Sequence, residues 1–321
     1  MKTQSEYIEI INKAISEIPY PNEPKGLYSP IEYTLDCGGK RLRPMLVLAA
    51  CEACGGQVSD AMSQALGIEM FHNFTLLHDD VMDRADVRRG KPTVHKKWNE
   101  STAILSGDAM LTMATRMMTF GTGDKLPDVM ALFNDTAMEI YEGQQYDMDF
   151  ESRDDVTVGE YMEMIRLKTS VLLGCACAVG ALMAGASEEV RRAFYRYGEA
   201  LGLAFQLQDD WLDTYGDPAT FGKSIGGDIL NDKKTYLLIT AMNKADEVSL
   251  NRIKSWFGTR SEEKVKEIKE IYDKLGAADE CRSMIDNYLS ETLRELDGID
   301  IPVHAKEFFR SYAERSINRK S

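Results

Sequence analysis

Residues 71–95 read FHNFTLLHDDVMDRADVRRGKPTVH, and residues 205–228 echo part of the pattern as FQLQDDWLDTYGDPATFGKSIGGD. Side chains four residues apart on a helix lie one above the other. Asp79 and Asp83 therefore share one face, as do Asp209 and Asp213, and each DDxxD run presents carboxylate oxygens in one direction. A solvated helix face can explain one such run, although Asp is a poor helix former and adjacent like charges repel. Two copies weaken that reading. Both are set in apolar sequence, with Phe74, Leu76 and Leu77 before the first and Leu201, Leu203, Phe205 and Leu207 around the second. Acidic pairs in such surroundings persist only when they are paired or coordinate a metal, and carboxylate oxygens favour hard cations.

Helical periodicity dominates the rest of the chain, with no convincing series of alternating strands, so the expected class is all-α. The pattern predicts helices over 3–18, from near Pro30, over 44–54 and over 59–83, the last ending in the first acidic run. A helix over 128–147 follows, then one opened by the capping box Thr157-Val-Gly-Glu160. Ser187-Glu-Glu opens another, and a further one carries the second acidic run. The Gly-rich FGKSIGGDILNDKKT reads as a mobile loop. Amphipathic helices then cover 235–244, 248–257, 261–275, 277–297 and 303–316. No linker is long or polar enough to divide the chain, so residues 1–321 are expected to form one domain.

The composition is that of a globular protein, with 44% hydrophobic and 28% charged residues. A formal charge of −14 disfavours nucleic acid and anionic membranes, both of which reward a basic face. Substrate anions need a local exception, and two basic knots supply it: Lys40, Arg41 and Arg43, and Arg84, Arg88, Arg89 and Lys91. The six cysteines show no secreted disulfide framework, and the lone Cys51–Cys54 pair has no second pair to complete a zinc site. Residues 169–187 carry no charge and approach membrane-spanning length. Their many Ala and Gly residues, without anchoring flanks, favour a buried central helix over an integral membrane segment. The N-terminus has no apolar run of signal-peptide length, which leaves a cytoplasmic location as the expectation.

Five ordered stretches carry a resemblance: GGKRLRP at 38–44, LLHDDVMDRADVRRGKPTVH at 76–95, EGQQYD at 142–147, LKTS at 167–170 and FQLQDDWLDTYGD at 205–217. Together the sequence resembles the trans-isoprenyl diphosphate synthases, or polyprenyl synthetases, over nearly its whole length. The resemblance implies one large helical bundle around a central cavity, a homodimer, and magnesium, three ions per site in the family pattern. It implies head-to-tail condensation of isopentenyl diphosphate with an allylic diphosphate.

Matched to the family's motifs, Asp79, Asp83 and Asp209 are implied as metal ligands, with Asp80, Asp210 and Asp213 in or next to the coordination sphere. Arg88, Lys168, Lys223 and Lys233 are implied to hold the allylic diphosphate. Lys40, Arg43, His72 and Arg89 match the seat for isopentenyl diphosphate. Thr169 and Gln206 match positions whose oxygens, with the Lys168 carbonyl, face the developing cation. Lids are implied by the need to exclude water, and 222–227 and the basic tail Arg315, Arg319 and Lys320 are candidates; the tail reads equally as a solvated end.

Product length is expected to be set along the helix before Asp79. Phe74 lies about 7.5 Å and Phe71 about 12 Å up the helix at 1.5 Å per residue, with the small Thr75 between them and the acidic run. An aromatic at 74 resembles short-chain members, which favours a geranylgeranyl product, with farnesyl next; the alternative is that Phe74 only packs between helices. Rival readings are a terpene cyclase, which usually carries a different second metal motif, and a non-catalytic subunit, which typically lacks an acidic run. An EF-hand fails because its ligand positions would fall on Val81 and Gly90, or on Trp211 and Thr220.

Overall fold

The computed structural model describes residues 1–217 and 225–318. Almost all regular structure among them is helical. By packing, the chain divides into two compact units. One comprises Met1–Asn134, Cys175–Phe194 and Asp300–Ala305; the other comprises Asp135–Gly174, Tyr195–Ile299 and Lys306–Ser321.

In the first unit, α1 (Gln4–Ser16) opens with a capping box in which Thr3 and Glu6 satisfy each other's backbone donors. Helix α2 (Lys25–Asp36) begins more than a turn before Pro30, contrary to expectation. Pro30 sits inside it, buried, at the cost of one bond to the Gly26 carbonyl, and burial of the ring offsets that loss. Helix α3 (Leu42–Ala53) carries Pro44 in its first turn, where a missing N–H costs nothing. Helix α4 (Met62–Met82) is apolar almost all round, as a core helix must be, and packs along α6 (Glu100–Thr119). Glycines permit that approach: a Cβ at Gly67 would stand 2.9 Å from the Met118 sulfur, and one at Gly107 2.2 Å from the His78 ring.

The stretch between them holds a two-stranded hairpin that helical periodicity did not reveal. Strands β1 (Val87–Arg88) and β2 (Lys91–Pro92) pair antiparallel across Arg89 and Gly90, both left-handed at φ 53° and 75°. Two left-handed residues are what a type I′ turn demands. The Arg-Gly pair lacks the Asn or Asp that usually announces such a turn. Thr93 closes the base, its amide donating to the Asp86 carbonyl and its hydroxyl to that of Ala85. The short α5 (Val94–Lys97) follows.

Helix α7 (Leu126–Glu151) runs longer than expected and enters the second unit. There α8 (Val158–Ile165), started by the expected Thr157–Glu160 capping box, continues through a π-helical turn at Arg166–Ser170 into α9 (Val171–Met183). This continuous helix is long and apolar enough to cross a membrane, but 83% of its most apolar window is buried within the protein. Helix α10 (Glu188–Tyr215) is one helix where two were expected. Gly198 and Gly202 do not break it; they let it approach its neighbour. A Cβ at Gly198 would lie 2.5 Å from the Leu173 carbonyl oxygen, and one at Gly202 2.5 Å from the Ser170 Cα. From the other side Gly143 of α7 meets the same segment, 2.4 Å from the Lys168 amide nitrogen by the same measure. The π turn is thus clasped between two side-chain-free surfaces.

Part of the Gly-rich loop is helical, as α11 (Gly227–Leu230). Then come α12 (Tyr236–Lys244), α13 (Glu247–Ser255), α14 (Glu262–Leu275), α15 (Ala277–Gly298) and α16 (Val303–Ile317), within a few residues of expectation.

The clasp makes an opposed pair of substitutions informative. Ala in place of an unconstrained helical Gly stabilises by up to about 1 kcal/mol, whereas overpacking costs about 1–3 kcal/mol. Gly159→Ala, which meets only the Thr157 hydroxyl at 4.0 Å, is expected to raise the thermal midpoint slightly. Gly202→Ala is expected to lower it by several degrees in a thermal melt.

Candidate active site

The last turn of α4 stays helical through its cap, because the Asp83 amide donates to the Asp79 carbonyl at 2.8 Å. Asp79 and Asp83 therefore stand one turn apart, the first half-buried and the second exposed. Asp80 turns inward and is buried, where Arg88 Nε donates to its Oδ1 at 2.7 Å. Arg88 Nη2 also lies 3.7 Å from Asp79 Oδ2, so one guanidinium from β1 spans two carboxylates. Burial raises the Asp80 pKa, and Arg88 opposes the rise. Among the described residues no three His, Cys, Asp or Glu side chains converge as a ready-made metal nest. Two outward carboxylates from one run provide only part of a coordination sphere. That suits Mg²⁺, which keeps waters and shares ligands with substrate phosphates.

The basic seat is built by strained backbone. Gly38 and Gly39, at φ 77° and 144°, lead into Arg41, itself left-handed at φ 49°. Arg41 is buried and acts as an internal strut: Nη1 donates to Glu69 at 2.7 Å, Nε to Asn12 Oδ1 at 3.0 Å and Nη2 to the Leu35 carbonyl at 2.8 Å. With that residue turned inward, Lys40 is left exposed and Arg43 half-buried, with Arg43 Nη1 3.4 Å from His72 Nε2. The Arg89 guanidinium lies against Gly39, where a Cβ would stand 3.0 Å from it, and donates to the Gly38 carbonyl. Burial, then the charges of Arg43, Arg89, Arg88 and Arg41, hold the His72 pKa well below the usual imidazole range. His72 is thus a neutral acceptor within a field of guanidiniums. A pocket lined by Cys37, Asn73, Leu76, Asp80, Arg88 and Arg89 opens in the same unit.

Further up α4, Phe74 and Phe71 are buried. Their ring centroids are 5.5 Å apart; Phe71 meets Phe133 edge-on at 5.2 Å and Phe74 meets His78 at 4.8 Å. Phe74 therefore packs the core whatever else it does. Thr75 is half-buried, its hydroxyl donating to the His72 carbonyl at 2.8 Å.

In the second unit α10 carries Gln206, Asp209, Asp210 and Asp213. Asp210 is buried, and both its oxygens are engaged: Tyr161 donates its hydroxyl to Oδ2, and Gln206 Nε2 donates to Oδ1 at 3.0 Å. Burial pushes the Asp210 pKa up to about 7, with the Asp228 charge adding to the rise and Lys233 opposing it. Gln206 Oε1 in turn accepts from Thr169 Oγ1 at 3.1 Å. A polar chain Tyr161–Asp210–Gln206–Thr169 thus ties the acidic run to the π turn. Asp209 and Asp213 are half-buried beside it, and Asp213 Oδ2 accepts from the Asp228 amide at 2.9 Å. Lys168 pairs with Asp147 at 2.5 Å, and Lys233 lies 3.9 Å from Asp228. Burial alone would raise the Asp147 pKa, but Lys168 and Lys233 outweigh it and hold it below the usual range.

Each unit therefore gathers its own predicted residues: Asp79, Asp80, Asp83, Lys40, Arg43, His72, Arg88 and Arg89 in one, Lys168, Thr169, Gln206, Asp209, Asp210, Asp213 and Lys233 in the other. Lys223, like Arg319 and Lys320, lies outside the described residues, and Arg315 donates to the Ser311 carbonyl of its own helix. Sequence reasoning assigned nothing to Asp147, Asp228 or Tyr161. The first two close quoted motifs, EGQQYD and GKSIGGD; Tyr161 had no signal beyond its distance from Lys168.

A free imidazole is half-protonated near pH 6.5. His72 is expected to remain neutral there and below, with the proton taken up only at lower pH; a ¹⁵N chemical-shift titration of its ring nitrogens checks this.

The polyprenyl synthetase family model matches residues 24–275. A geranylgeranyl diphosphate synthase of Methanosarcina mazei is 37% identical over 313 residues, covering 97% of this chain and 95% of that protein. A geranylfarnesyl diphosphate synthase of Natronomonas pharaonis is 38% identical over 258 residues, covering 75% of this chain and 76% of that one. A crystal structure of a geranylgeranyl pyrophosphate synthase superposes with a TM-score of 0.94 at 45% identity, covering all of both chains. With two DDxxD helices, two basic seats and agreement over its full length, the chain belongs to the polyprenyl synthetase family.

Proposed function

We propose that this trans-prenyltransferase condenses isopentenyl diphosphate with allylic diphosphates, head to tail, and that geranylgeranyl diphosphate is its main product, with farnesyl diphosphate next. The observation that carries the reading is the pairing of acidic and basic groups in both units. Each acidic run turns its middle Asp inward to a fixed partner while the residues on either side of it remain half-buried or exposed.

Asp79, Asp83 and Asp209 are the carboxylates that would hold magnesium. Asp213 belongs in or next to the coordination sphere, as do Asp80, drawn inward by Arg88, and Asp210, drawn inward by Tyr161 and Gln206. Bound magnesium neutralises diphosphate charge and so improves the leaving group. Arg88, Lys168 and Lys233 hold the allylic diphosphate, and Lys40, Arg43, Arg89 and neutral His72 hold isopentenyl diphosphate. The allylic C–O bond breaks, and the electrons leave with the diphosphate. Oxygens of Thr169 and Gln206 and the Lys168 carbonyl face the positive charge that develops, as fixed dipoles that need no reorganisation. The isopentenyl double bond forms the new C–C bond, and a proton then passes to the released diphosphate.

Relatives of nearly equal identity are named for different product lengths, so overall likeness does not choose among them. The aromatic at 74 favours the short-chain outcome. One catalytic domain, a homodimer and a cytoplasmic location belong to the same reading, supported by the family resemblance.

The purified protein, given isopentenyl diphosphate with dimethylallyl, geranyl or farnesyl diphosphate and Mg²⁺, is expected to form prenyl diphosphates up to the geranylgeranyl chain, and none once EDTA is added. Absence of condensation with every primer, or cyclised hydrocarbons in place of diphosphates, overturns the reading. Phe74→Ala removes the whole aromatic ring and is expected to shift the products, read by mass spectrometry, toward chains at least one isoprene unit longer. An unchanged distribution returns Phe74 to packing alone.

A further inference from the structure

Lys264, in the first turn of α14, is only 1% exposed, and nothing in the reaction uses it. Its ammonium donates to Asp232 Oδ1 at 2.6 Å and to the Thr259 carbonyl at 3.0 Å. The other oxygen of Asp232 accepts from the Gly258 amide at 2.7 Å. Asp232 is left-handed at φ 54°, a backbone region that residues other than glycine enter at a cost. A buried cation and a backbone amide thus pin one strained residue, and the next residue is Lys233.

The neighbourhood repeats the theme. Arg260 Nη2 donates to Asn231 Oδ1 at 2.5 Å, so two consecutive loop residues are gripped from the segment that leads into α14. Gly226, at the start of α11, faces Val265 so closely that a Cβ would stand 2.6 Å from it. Ile268 and Tyr272, further along α14, line a pocket together with Asp228 and Lys233. Helix α14 is therefore a platform for residues 226–233, and the Lys233 charge reaches Asp147 and Asp210 from there.

We propose that Lys264 and Asp232 form a positioning pair that fixes Lys233 where it meets the allylic diphosphate; this rests on the role given to Lys233 above. When the pair is broken, the turn is held only by its remaining bonds, among them the Asp232 amide to the Ile229 carbonyl at 3.2 Å and the Lys233 amide to the Asp228 carbonyl at 3.0 Å, and the binding-competent placement of Lys233 is populated only part of the time. Apparent affinity falls by that fraction, while the bound enzyme reacts at nearly its usual rate. The device is conformational, so glycine at 232 should substitute for the ion pair, because it enters the left-handed region without penalty.

The test measures KM for geranyl diphosphate and kcat, with saturating isopentenyl diphosphate and Mg²⁺, in Asp232→Ala, Asp232→Gly, Lys264→Met and the Asp232→Gly/Lys264→Met double variant. Asp232→Ala and Lys264→Met are expected to raise KM about tenfold, the equivalent of about 1.4 kcal/mol, with kcat within about threefold of the parent. Asp232→Gly and the double variant are expected to keep KM within about threefold of the parent, the latter as a rescue. If Asp232→Gly is as impaired as Asp232→Ala, or the double variant as impaired as Lys264→Met, the proposal is overturned. If Lys264→Met does not fold, the Ala and Gly variants at position 232 decide the matter alone. Lys233→Met separates the two levels of argument. A raised KM there beside an unchanged one in Asp232→Ala defeats the pair alone, whereas an unchanged KM in Lys233→Met defeats the role of Lys233 as well.

Discussion

Arg88 and Asp80, 2.7 Å apart at the end of α4, show the constraint on which the rest of the protein depends. A site for a diphosphate and its counter-cations must cluster carboxylates in one place and cationic groups in another, and like charges within each cluster repel until the ligand arrives. Here the repulsion is met by pairing a subset of them internally. Asp80 is given to Arg88, Asp210 to Tyr161 and Gln206, Asp147 to Lys168, and Arg41 to Glu69. Beside them Asp79, Asp209 and Lys40 are left half-buried or exposed. The DDxxD pattern is therefore two kinds of carboxylate in one motif, distinguished by which side of the helix they occupy.

The same constraint explains where strain is placed. Arg41, Arg89 and Asp232 are all left-handed without being glycine, and each is fixed by hydrogen bonds to backbone or to an opposite charge. In each case the strained residue sits beside or within a basic seat. Short loops that must aim a cation have few conformations to choose from, and buried partners hold the one that is needed.

Most helices were legible because an amphipathic face repeats every three or four residues, and the acidic helices because Asp79/Asp83 and Asp209/Asp213 obey that same spacing. What stayed hidden had other causes. The hairpin at 87–92 is too short to alternate, and its Arg-Gly turn is an uncommon choice. Helix α10 looked divisible because nothing local tells a glycine that breaks a helix from one that admits a neighbour; only the Ser170 backbone beside Gly202 decides. In sequence Pro30 reads as a helix start because its cost is local and visible, whereas the burial that offsets it is not. Asp147 and Tyr161 became partners of Lys168 and Asp210 across 21 and 49 residues of chain, distances over which no periodicity reports.

The turn at Arg166–Ser170 has a consequence for how this protein can vary. A π turn is an ordinary helix with one residue too many, and each residue of a regular helix advances the azimuth by about 100°. Excising a single residue there would restore a regular helix and leave Tyr161 on nearly its present bearing, because the wide turn already absorbs the extra residue, but it would abolish the wide turn that carries Lys168 and Thr169. Substitution can alter the chemistry of Lys168 and Thr169, but length is what aims them, so this segment should be far less forgiving of indels than of exchanges.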